Sequence, residues 1–417
     1  MSTLQLLIIG NGFDLHCGLK SSYRDFFRRA ILDTRGEPFG LVQLKAGVSG
    51  FWENLLLEYY KCDQYDDYSW CDIESIIKKT LEMIYVKSEH CEKGLWTYAL
   101  YATENNIDLN NSELDFSIIE EYILECCLLK INEAHRRSSY DDRLNLLNKY
   151  LQSELKKLEK RFCKYLKNEI YNPNYESGLK EEYIVNAANL LAQITGFTEA
   201  KFSDMDDIID NHEEEIERAK FYNLEERFEP ELSENFNNLF FVNILSFNYT
   251  NLFDILNFKS PCSYSNVHGK LCNNQCNGNC GSSNVIFGID DSVIQSQGVD
   301  SDLRLFSKTY RKMLVSSDPI NILPPKDKII EIKFYGHSLG EADHSYFQSI
   351  FDYYDLYSNN NVSLIFYYSK GYENYDAVYK LINKYGGTLN NKDQGNNLLH
   401  KLLLENRLKI AIIHGQE

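Results

Sequence analysis

Apolar runs recur along the chain with the lengths of buried β-strands. They lie at residues 4–9, 239–245, 329–334, 362–368 and 408–413, with shorter runs at 285–287 and near Tyr264. Helical patterns separate the later runs, at 345–356 and 375–385. Strands that alternate with helices indicate a parallel sheet covered on both faces. The pattern therefore predicts an α/β fold with a doubly wound, mostly parallel, Rossmann-like sheet.

The middle of the chain has a different period. Between about residues 51 and 235, apolar residues recur at helical spacing, as in 113–172, 182–195 and 207–222. We therefore expect a large helical insertion at 41–235. Residues 1–40 plus 236–417 would then form one Rossmann-like nucleotide-binding domain, in which 390–397 are expected to form a polar loop.

Four of the apolar runs end in short polar motifs, which a parallel sheet would bring to its carboxyl edge. The motifs are Gly10-Asn11-Gly12-Phe13-Asp14, Ser246-Phe247-Asn248-Tyr249-Thr250, Val267-His268-Gly269 and Gly336-His337-Ser338-Leu339-Gly340 with Asp343. Ligands of open α/β sheets bind outside the carboxyl ends of the strands. We therefore expect segments far apart in sequence to form one polar cleft that binds a nucleotide.

The glycines of the first motif suit a phosphate-binding turn. Gly10 and Gly12 allow unusual φ values and a close approach of backbone amides to a pyrophosphate. The match to the full dinucleotide fingerprint is incomplete, because Leu15 occupies the place of its third glycine. The sequence favours neither of two roles for Asp14: to order a ribose or a water, or to cap local backbone amides.

Asn248 and His268 are the candidate catalytic residues. Asn is poor in strand interiors, so Asn248 at the end of a buried-type strand indicates a turn or a polar function. Imidazole has an unperturbed pKa near neutrality, which makes His268 a natural general base. An isolated Asn or His is usually structural, so this interpretation depends on the motifs converging.

Ser338 offers a different chemistry. It lies between Gly336 and Gly340 where a strand gives way to a helix, which is the context of the nucleophile elbow of serine hydrolases. Asp343 and His344 are too near Ser338 in sequence to be assigned as triad partners without geometry. Serine hydrolysis is therefore the minor alternative.

Four cysteines lie near the Val267-His268-Gly269 motif in the sequence: Cys262, Cys272, Cys276 and Cys280. Structural zinc sites usually contain two Cys-x-x-Cys pairs, and this spacing differs. Free thiols are therefore favoured over a zinc site.

Charge and hydropathy exclude several classes of partner. The net charge is −18 and the sequence pI is near 5.0, which opposes a broad electrostatic contact with nucleic acid. No apolar run approaches the roughly 20 residues that a membrane span needs, and the first residues lack a basic leader. We expect a cytoplasmic protein whose cysteines are mostly reduced.

The motifs together resemble the AbiH-like family of bacterial abortive-infection proteins. The resemblance lies in Gly10–Asp14, Trp70-x-Asp72-x-Glu74, 247–250, His268-Gly269 and 335–347. It implies a protein that stops phage spread at the expense of the infected cell. Since Trp70, Asp72 and Glu74 carry the family pattern inside the insertion, we expect that part of it to form a lid over the cleft or a surface for self-association. The alternative is a helix start with acids that favour the dipole.

The same landmarks are more distantly similar to the sirtuin-type NAD-binding fold. Gly10, Gly12 and Gly18 match its glycine turn, and Asn248, His268 and Ser338 match its later motifs. Asn11, Thr250 and the cysteine spacing depart from that pattern, which puts a protein-deacylase substrate and a zinc ion in doubt. The resemblance implies that NAD is bound or consumed.

The function that follows is an anti-phage effector that hydrolyses the nicotinamide–ribose bond of NAD. Asn248 would position water or a ribose hydroxyl, and His268 would accept a proton. The nucleotide would contact Gly10, Asn11, Gly12, Phe13, Asp14, Gly336, Ser338, Leu339 and Asp343. The alternative is a nucleotide-binding sensor or partner-binding protein without turnover. A phage trigger and a homo-oligomer are also expected.

Overall fold

The computed structural model describes most of the 417 residues. The described residues are 4–33, 42–62, 72–107, 115–134, 138–170, 181–195, 242–251, 263–271, 285–290, 303–314, 322–328 and 330–413. They divide into two compact units. The sheet unit comprises Met1–Ser21, Leu166–Ser282 and Ser317–Glu417, and the helical unit comprises Ser22–Tyr165 and Ser283–Ser316.

The elements are numbered in chain order. The described strands are β1 (Leu4–Ile9), β2 (Leu32–Asp33), β3 (Gln43–Leu44), β4 (Val242–Ser246), β5 (Tyr264–Asn266), β6 (Ile330–Tyr335), β7 (Val362–Ser369) and β8 (Leu408–Ile413). The described α-helices are α1 (Asn11–His16), α2 (Tyr23–Phe26), α3 (Phe51–Cys62), α4 (Ile73–Tyr85), α5 (Gly94–Glu104), α6 (Ile118–Glu133), α7 (Tyr140–Ile170), α8 (Glu181–Thr195), α9 (Lys308–Leu314), α10 (His344–Tyr353), α11 (Tyr375–Thr388) and α12 (Lys392–Leu404).

The sheet unit is built on six parallel strands in the order β5-β4-β1-β6-β7-β8. Read in chain order, this is the 3-2-1-4-5-6 order of the Rossmann fold. The predicted α/β class and parallel sheet are confirmed. The strand order reverses between β1 and β6, and this switch point is where a crevice opens at the carboxyl edge of such a sheet.

Successive side chains of the central strands point to opposite faces of the sheet. On one face, Phe334 of β6 stacks on its register partner Phe366 of β7, with ring centroids 4.5 Å apart. Both rings belong to the core that also contains residues of α10, α11 and α12. Phe347 and Leu398 are fully buried there, so the three helices cover this face.

Helix α8 packs in the sheet unit, although its residues fall inside the predicted insertion. The buried Lys333 of β6 donates to the carbonyl of Ile194 (2.9 Å), and Gln5 of β1 donates to that of Thr195 (3.0 Å). Both contacts satisfy carbonyls in the last turn of α8, and the ammonium suits the negative end of the helix dipole. Burial lowers the pKa of Lys333, and the nearby Glu331 carboxylate partly offsets this lowering.

The helical unit contains α2–α6, most of α7, α9 and the two-stranded β2–β3 hairpin. Its aromatic core joins Phe26 to Phe162 and Tyr165, with ring centroids 5.1 and 5.6 Å apart. A π-helical segment, Phe27–Ile31, follows α2. These contacts place the described residues 22–33 in this unit, whereas the predicted boundary lay after residue 40.

Residues 285–287 were predicted to form a strand of the sheet, and this prediction is wrong. They form no regular strand and belong to the helical unit. The amide of Phe287 donates to Glu159 (2.8 Å), and Arg311 of α9 binds the same carboxylate at 2.7 and 2.9 Å. The apolar run is thus buried against helices.

The polar loop predicted at 390–397 is also wrong, because α12 begins at Lys392. Asn391 caps this helix by accepting from the amides of Asp393 and Gln394. The remaining strand bounds agree with the predicted runs within a few residues. Within the described part of the chain, no helix is both long and apolar enough to cross a membrane.

Candidate functional site

The loops after β1 and β6 are hydrogen-bonded to each other at the switch point. Gly10 N–H donates to the Tyr335 carbonyl (3.0 Å), and Gly12 N–H donates to that of Gly336 (2.8 Å). Gly336 has φ +66°, and a Cβ there would lie 2.3 Å from the amide nitrogen of Phe13. Glycine is therefore required at this joint by both conformation and space.

This joint bears on the pyrophosphate contact predicted for the first loop. The amides of Gly10 and Gly12 donate across the joint, and the amide of Phe13 donates to the Gly10 carbonyl (2.9 Å). Asn11 is exposed, and its side-chain oxygen accepts from Ser21 (2.6 Å). The phosphate contact remains a prediction, and the loop's observed role is to hold α1 in place.

Asp14 on α1 is a buried carboxylate that has hydroxyl partners. Thr250 donates to one oxygen and Tyr183 of α8 to the other, each at 2.7 Å. Burial raises its pKa to about 6, and the two hydroxyls and the nearby Asn248 amide oppose that rise. Asp14 can therefore change its charge near neutral pH.

Asn248 lies beside this carboxylate, at the carboxyl end of β4. The backbone around it is held by Asn266 of β5, whose amide donates to the carbonyls of Asn248 (2.7 Å) and Thr250 (2.8 Å). The Asn248 side chain is only 3% exposed. Among the described residues, neither its nitrogen nor its oxygen forms a hydrogen bond of good geometry, although the amide lies close enough to Asp14 to lower the pKa of that carboxyl.

A buried amide of this kind needs an explanation, because an unsatisfied buried polar group costs about 1–3 kcal/mol. Its nitrogen can donate and its oxygen can accept. A ligand hydroxyl or a water would satisfy both requirements.

His268, in the loop after β5, forms a pair with Asp343. Its Nε2 lies 3.0 Å from one oxygen of Asp343, and Nε2 of His337 lies 3.5 Å from the other. Nδ1 of His337 accepts from the amide of Leu339 (2.9 Å), so the proton of neutral His337 is on Nε2. One carboxylate therefore faces two imidazoles and orients both.

Phe247 brings these groups into one cluster. Its ring centroid lies 5.4 Å from that of His268 and 4.5 Å from that of His337. Tyr249, on the other side of Asn248 in sequence, has its ring 6.4 Å from His268. The contacts therefore define two groups at the carboxyl ends of the strands, Asp14 with Asn248 and His268 with Asp343, and residues 247–250 contribute to both.

The Ser338 loop does not have the geometry of a nucleophile elbow. The left-handed residue is Leu339, with φ +56°, and Ser338 is exposed. His337 binds Leu339 and Asp343, and His344 binds the Leu339 carbonyl (3.0 Å). No described histidine is hydrogen-bonded to Ser338. Strain at a non-glycine residue is common in ligand-binding loops, which keeps Leu339 of interest.

The residues proposed for the lid have structural partners within the helical unit. Asp72 caps α4 by accepting from the amides of Glu74 and Ser75. Glu74 pairs with the buried Lys308 of α9 at 2.6 Å. Trp70 lies outside the described residues, so the lid remains a prediction.

Metal binding has limited support among the described residues. Cys262, Cys272, Cys276 and Cys280 lie outside them. One set elsewhere, Glu89, His90 and Glu120, has ligand atoms within 4.8 Å of one another. Glu120 already completes the capping box of α6 with Ser117, which accounts for its burial without a metal.

Three residues of the site were not singled out from the sequence. Tyr183 is 169 positions from Asp14, in a segment whose period is that of an ordinary helix. Thr250 was noted only as a departure from the sirtuin pattern, and His337 only as part of a glycine motif. For Tyr183 the sequence contains no signal, whereas His337 could have been found as a titratable residue at a strand end.

These features define a class: a Rossmann-like α/β protein with a titratable polar site at its strand ends. The family model described as bacteriophage abortive infection AbiH matches residues 6–205 and 199–368. The chain belongs to this family, which associates it with defence against phage. No match was found among curated proteins or among solved structures.

Proposed function

We propose that the protein is an abortive-infection effector that hydrolyses the nicotinamide–ribose bond of NAD at the Asn248–His268 site. Depletion of NAD would stop the infected cell and the phage in it. A phage-derived trigger and self-association are part of this proposal. The family membership supports the defence role, and the chemistry is proposed from the site.

The buried Asn248 amide is the observation that carries the proposal. It is 3% exposed, forms no hydrogen bond of good geometry among the described residues, and lies next to the Asp14 carboxylate, whose pKa of about 6 it helps to lower. A ribose hydroxyl and a water each donate and accept hydrogen bonds, as this amide does. Asn248 and Asp14 lie at the strand ends, which is where Rossmann-type folds bind nucleotides.

The reaction needs no strong protein nucleophile. The C1′–N bond of the nicotinamide ribose breaks, and its electron pair leaves with neutral nicotinamide. The oxygen of one water bonds to C1′, and that water loses one proton to a base. The products are ADP-ribose, nicotinamide and a proton. The protein must orient the water and stabilise an oxocarbenium-like centre.

His268 would supply the base, and the carboxylates of Asp343 and Asp14 would orient it and stabilise the positive charge. Because Asp343 faces Nε2 of His268, it favours the tautomer with the proton on Nε2 and makes Nδ1 the basic nitrogen. His268 then accepts the proton of the water or of a ribose hydroxyl. An ionised Asp14 beside Asn248 would stabilise positive charge at the ribose.

The experiment incubates purified protein with NAD and measures nicotinamide and ADP-ribose. Asn248→Ala and His268→Ala should each lower the rate about 100-fold or more, the scale typical of positioned acid–base groups. His400→Ala, an exposed histidine on α12, is the matched control and should retain full activity. If the two site variants keep the wild-type rate, the site assignment is wrong.

A nucleotide sensor without turnover is the second candidate, since the same amide and carboxylates would bind a ribose without cleaving it. Calorimetry with NAD, ADP-ribose and ATP separates the two functions. Binding that yields no product after long incubation, in protein known to be triggered, would favour the sensor.

A further inference from the structure

A second hydrogen-bonded cluster lies at the carboxyl edge of the sheet, away from Asn248. It consists of His16 at the end of α1, Tyr335 at the end of β6 and Ser369 at the end of β7. The Tyr335 hydroxyl lies 2.8 Å from both His16 Nδ1 and Ser369 Oγ, and these two atoms are 3.1 Å apart. Three chain segments thus place polar groups together at the ligand-binding edge.

The cluster fixes the orientation of the His16 ring. Its Nδ1 contacts two hydroxyls, each of which can donate or accept, so the contacts hold the ring in either neutral tautomer. His16 is exposed, and Nε2 is not bonded to any residue in the described part of the chain. Burial lowers the pKa of the ring, which keeps the neutral form near pH 7. His16 is therefore an oriented, neutral imidazole whose Nε2 can hydrogen-bond a ligand.

Satisfying the Tyr335 hydroxyl does not account for the whole cluster. Tyr335 is 3% exposed, and one partner would be enough for its hydroxyl. Two partners are present, and both remain accessible to solvent: His16 is exposed and Ser369 is half-buried.

Helix α1 carries one polar side chain toward each side of the switch point. Asp14 and His16 are two residues apart, so they point about 200° apart around the helix. Asp14 contacts Thr250 in the loop after β4, and His16 contacts the ends of β6 and β7. A Rossmann crevice binds a dinucleotide across this point, one half on each side.

We propose that His16 and Ser369 form a second subsite, which binds the AMP half of a dinucleotide and sets a preference for dinucleotides over mononucleotides. The assignment of halves rests on the proposed function, since the bond to be cleaved must lie at Asn248 and His268. In its Nε2–H tautomer, His16 would donate to a ribose or phosphate oxygen, and the Ser369 hydroxyl would contact the same half.

The test measures the affinity of the full-length protein for ADP-ribose and for nicotinamide mononucleotide by calorimetry. His16→Ala and Ser369→Ala should each weaken ADP-ribose binding about five- to tenfold, the loss of one hydrogen bond. Binding of nicotinamide mononucleotide should change less than twofold. His16→Gln retains an N–H donor and should recover part of the loss.

His400→Ala and Ser349→Ala are matched controls, because both side chains are exposed in the sheet unit, and neither should change any affinity. The subsite is overturned if the two site variants weaken both ligands equally, if they leave ADP-ribose binding unchanged, or if the wild type binds no ADP-ribose. ADP-ribose contains no nicotinamide–ribose bond, so its binding is independent of cleavage. Wild type that binds it but leaves NAD intact would refute the proposed function alone.

Discussion

Two carboxylates in each unit show different kinds of partner. In the helical unit, Glu159 is bound through both oxygens by Arg311, and Glu74 is bound by Lys308. In the sheet unit, Asp14 is bound by two hydroxyls, and Asp343 faces two imidazoles. A permanent cation keeps a buried carboxylate charged, whereas neutral or titratable partners leave its charge adjustable.

We infer from this difference that Glu159 and Glu74 have structural roles and that Asp14 and Asp343 are suited to chemistry. Arg311 opposes the rise in the pKa of Glu159 that burial causes, and the pair joins residues 285–290 and α9 to α7. The hydrogen-bond donors to Asp14 are neutral hydroxyls, and its pKa is about 6. A group that titrates near neutrality at a strand end is suited to proton transfer or to ligand binding.

The largest effect should come from breaking the ion pair of the helical unit. Arg311→Ala leaves the Glu159 charge buried without its cation, which should lower the free energy of unfolding by about 3–5 kcal/mol. Chemical denaturation measures it. Lys61→Ala, which breaks an exposed pair with Glu58 in the same unit, should have little effect. Similar losses for both variants would show that burial does not distinguish the pairs.

The joint between the ligand loops should be nearly as sensitive. Gly336→Ala adds a methyl group 2.3 Å from the Phe13 nitrogen at φ +66°, so we expect a loss of about 2–4 kcal/mol. Gly371→Ala is the control, since its φ is +84° but nothing lies within 4 Å of the added carbon. It should cost only the conformational part. Equal losses would mean that the joint is not closely packed.

Asp14 should make stability depend on pH in a specific direction. Its pKa is raised from 3.8 to about 6, so its contribution to stability is complete below pH 3.8 and is lost as the pH rises through 6. An asparagine side chain at this position does not titrate. The stability of the Asp14→Asn variant relative to wild type should therefore increase by about 2.4 kcal/mol between pH 4 and 7.5. A difference that stays constant with pH would refute the raised pKa.

Removing one hydroxyl partner should have the smallest effect. Tyr183→Phe deletes a hydrogen bond that lowers the pKa of Asp14, so that pKa should rise further and the unfolding free energy at pH 7.5 should fall by about 1–2 kcal/mol. Tyr379→Phe changes an exposed ring of α11 and is the control. An unchanged pH–stability curve for Tyr183→Phe would mean that this hydroxyl does not act on Asp14.

The sheet could be predicted because its evidence is local. Apolar runs identified β1, β4, β5, β6, β7 and β8, and the polar motifs after β4, β5 and β6 contain Asn248, His268 and Asp343. Partners from distant segments were not predictable. Tyr183 and Lys333 act through long-range contacts with Asp14 and the end of α8, and helical periodicity alone assigned α8 to the insertion.

Two further errors have different origins, the first long-range and the second local. Residues 285–287 have the composition of a strand, but the carboxylate of Glu159, far away in sequence, determines where they pack. The run of polar residues at 390–397 was interpreted as a loop. It contains Asn391, which caps α12, and the polar first turns of that helix.

The most direct test of the central claim is the NAD content of phage-infected cells, where any natural trigger is present. Cells that express the wild-type protein should lose NAD and accumulate ADP-ribose during infection, as should cells that express His400→Ala. Cells that express Asn248→Ala at an equal protein level should keep their NAD and lose protection. Protection by the wild type while NAD remains constant would contradict NAD hydrolysis at this site.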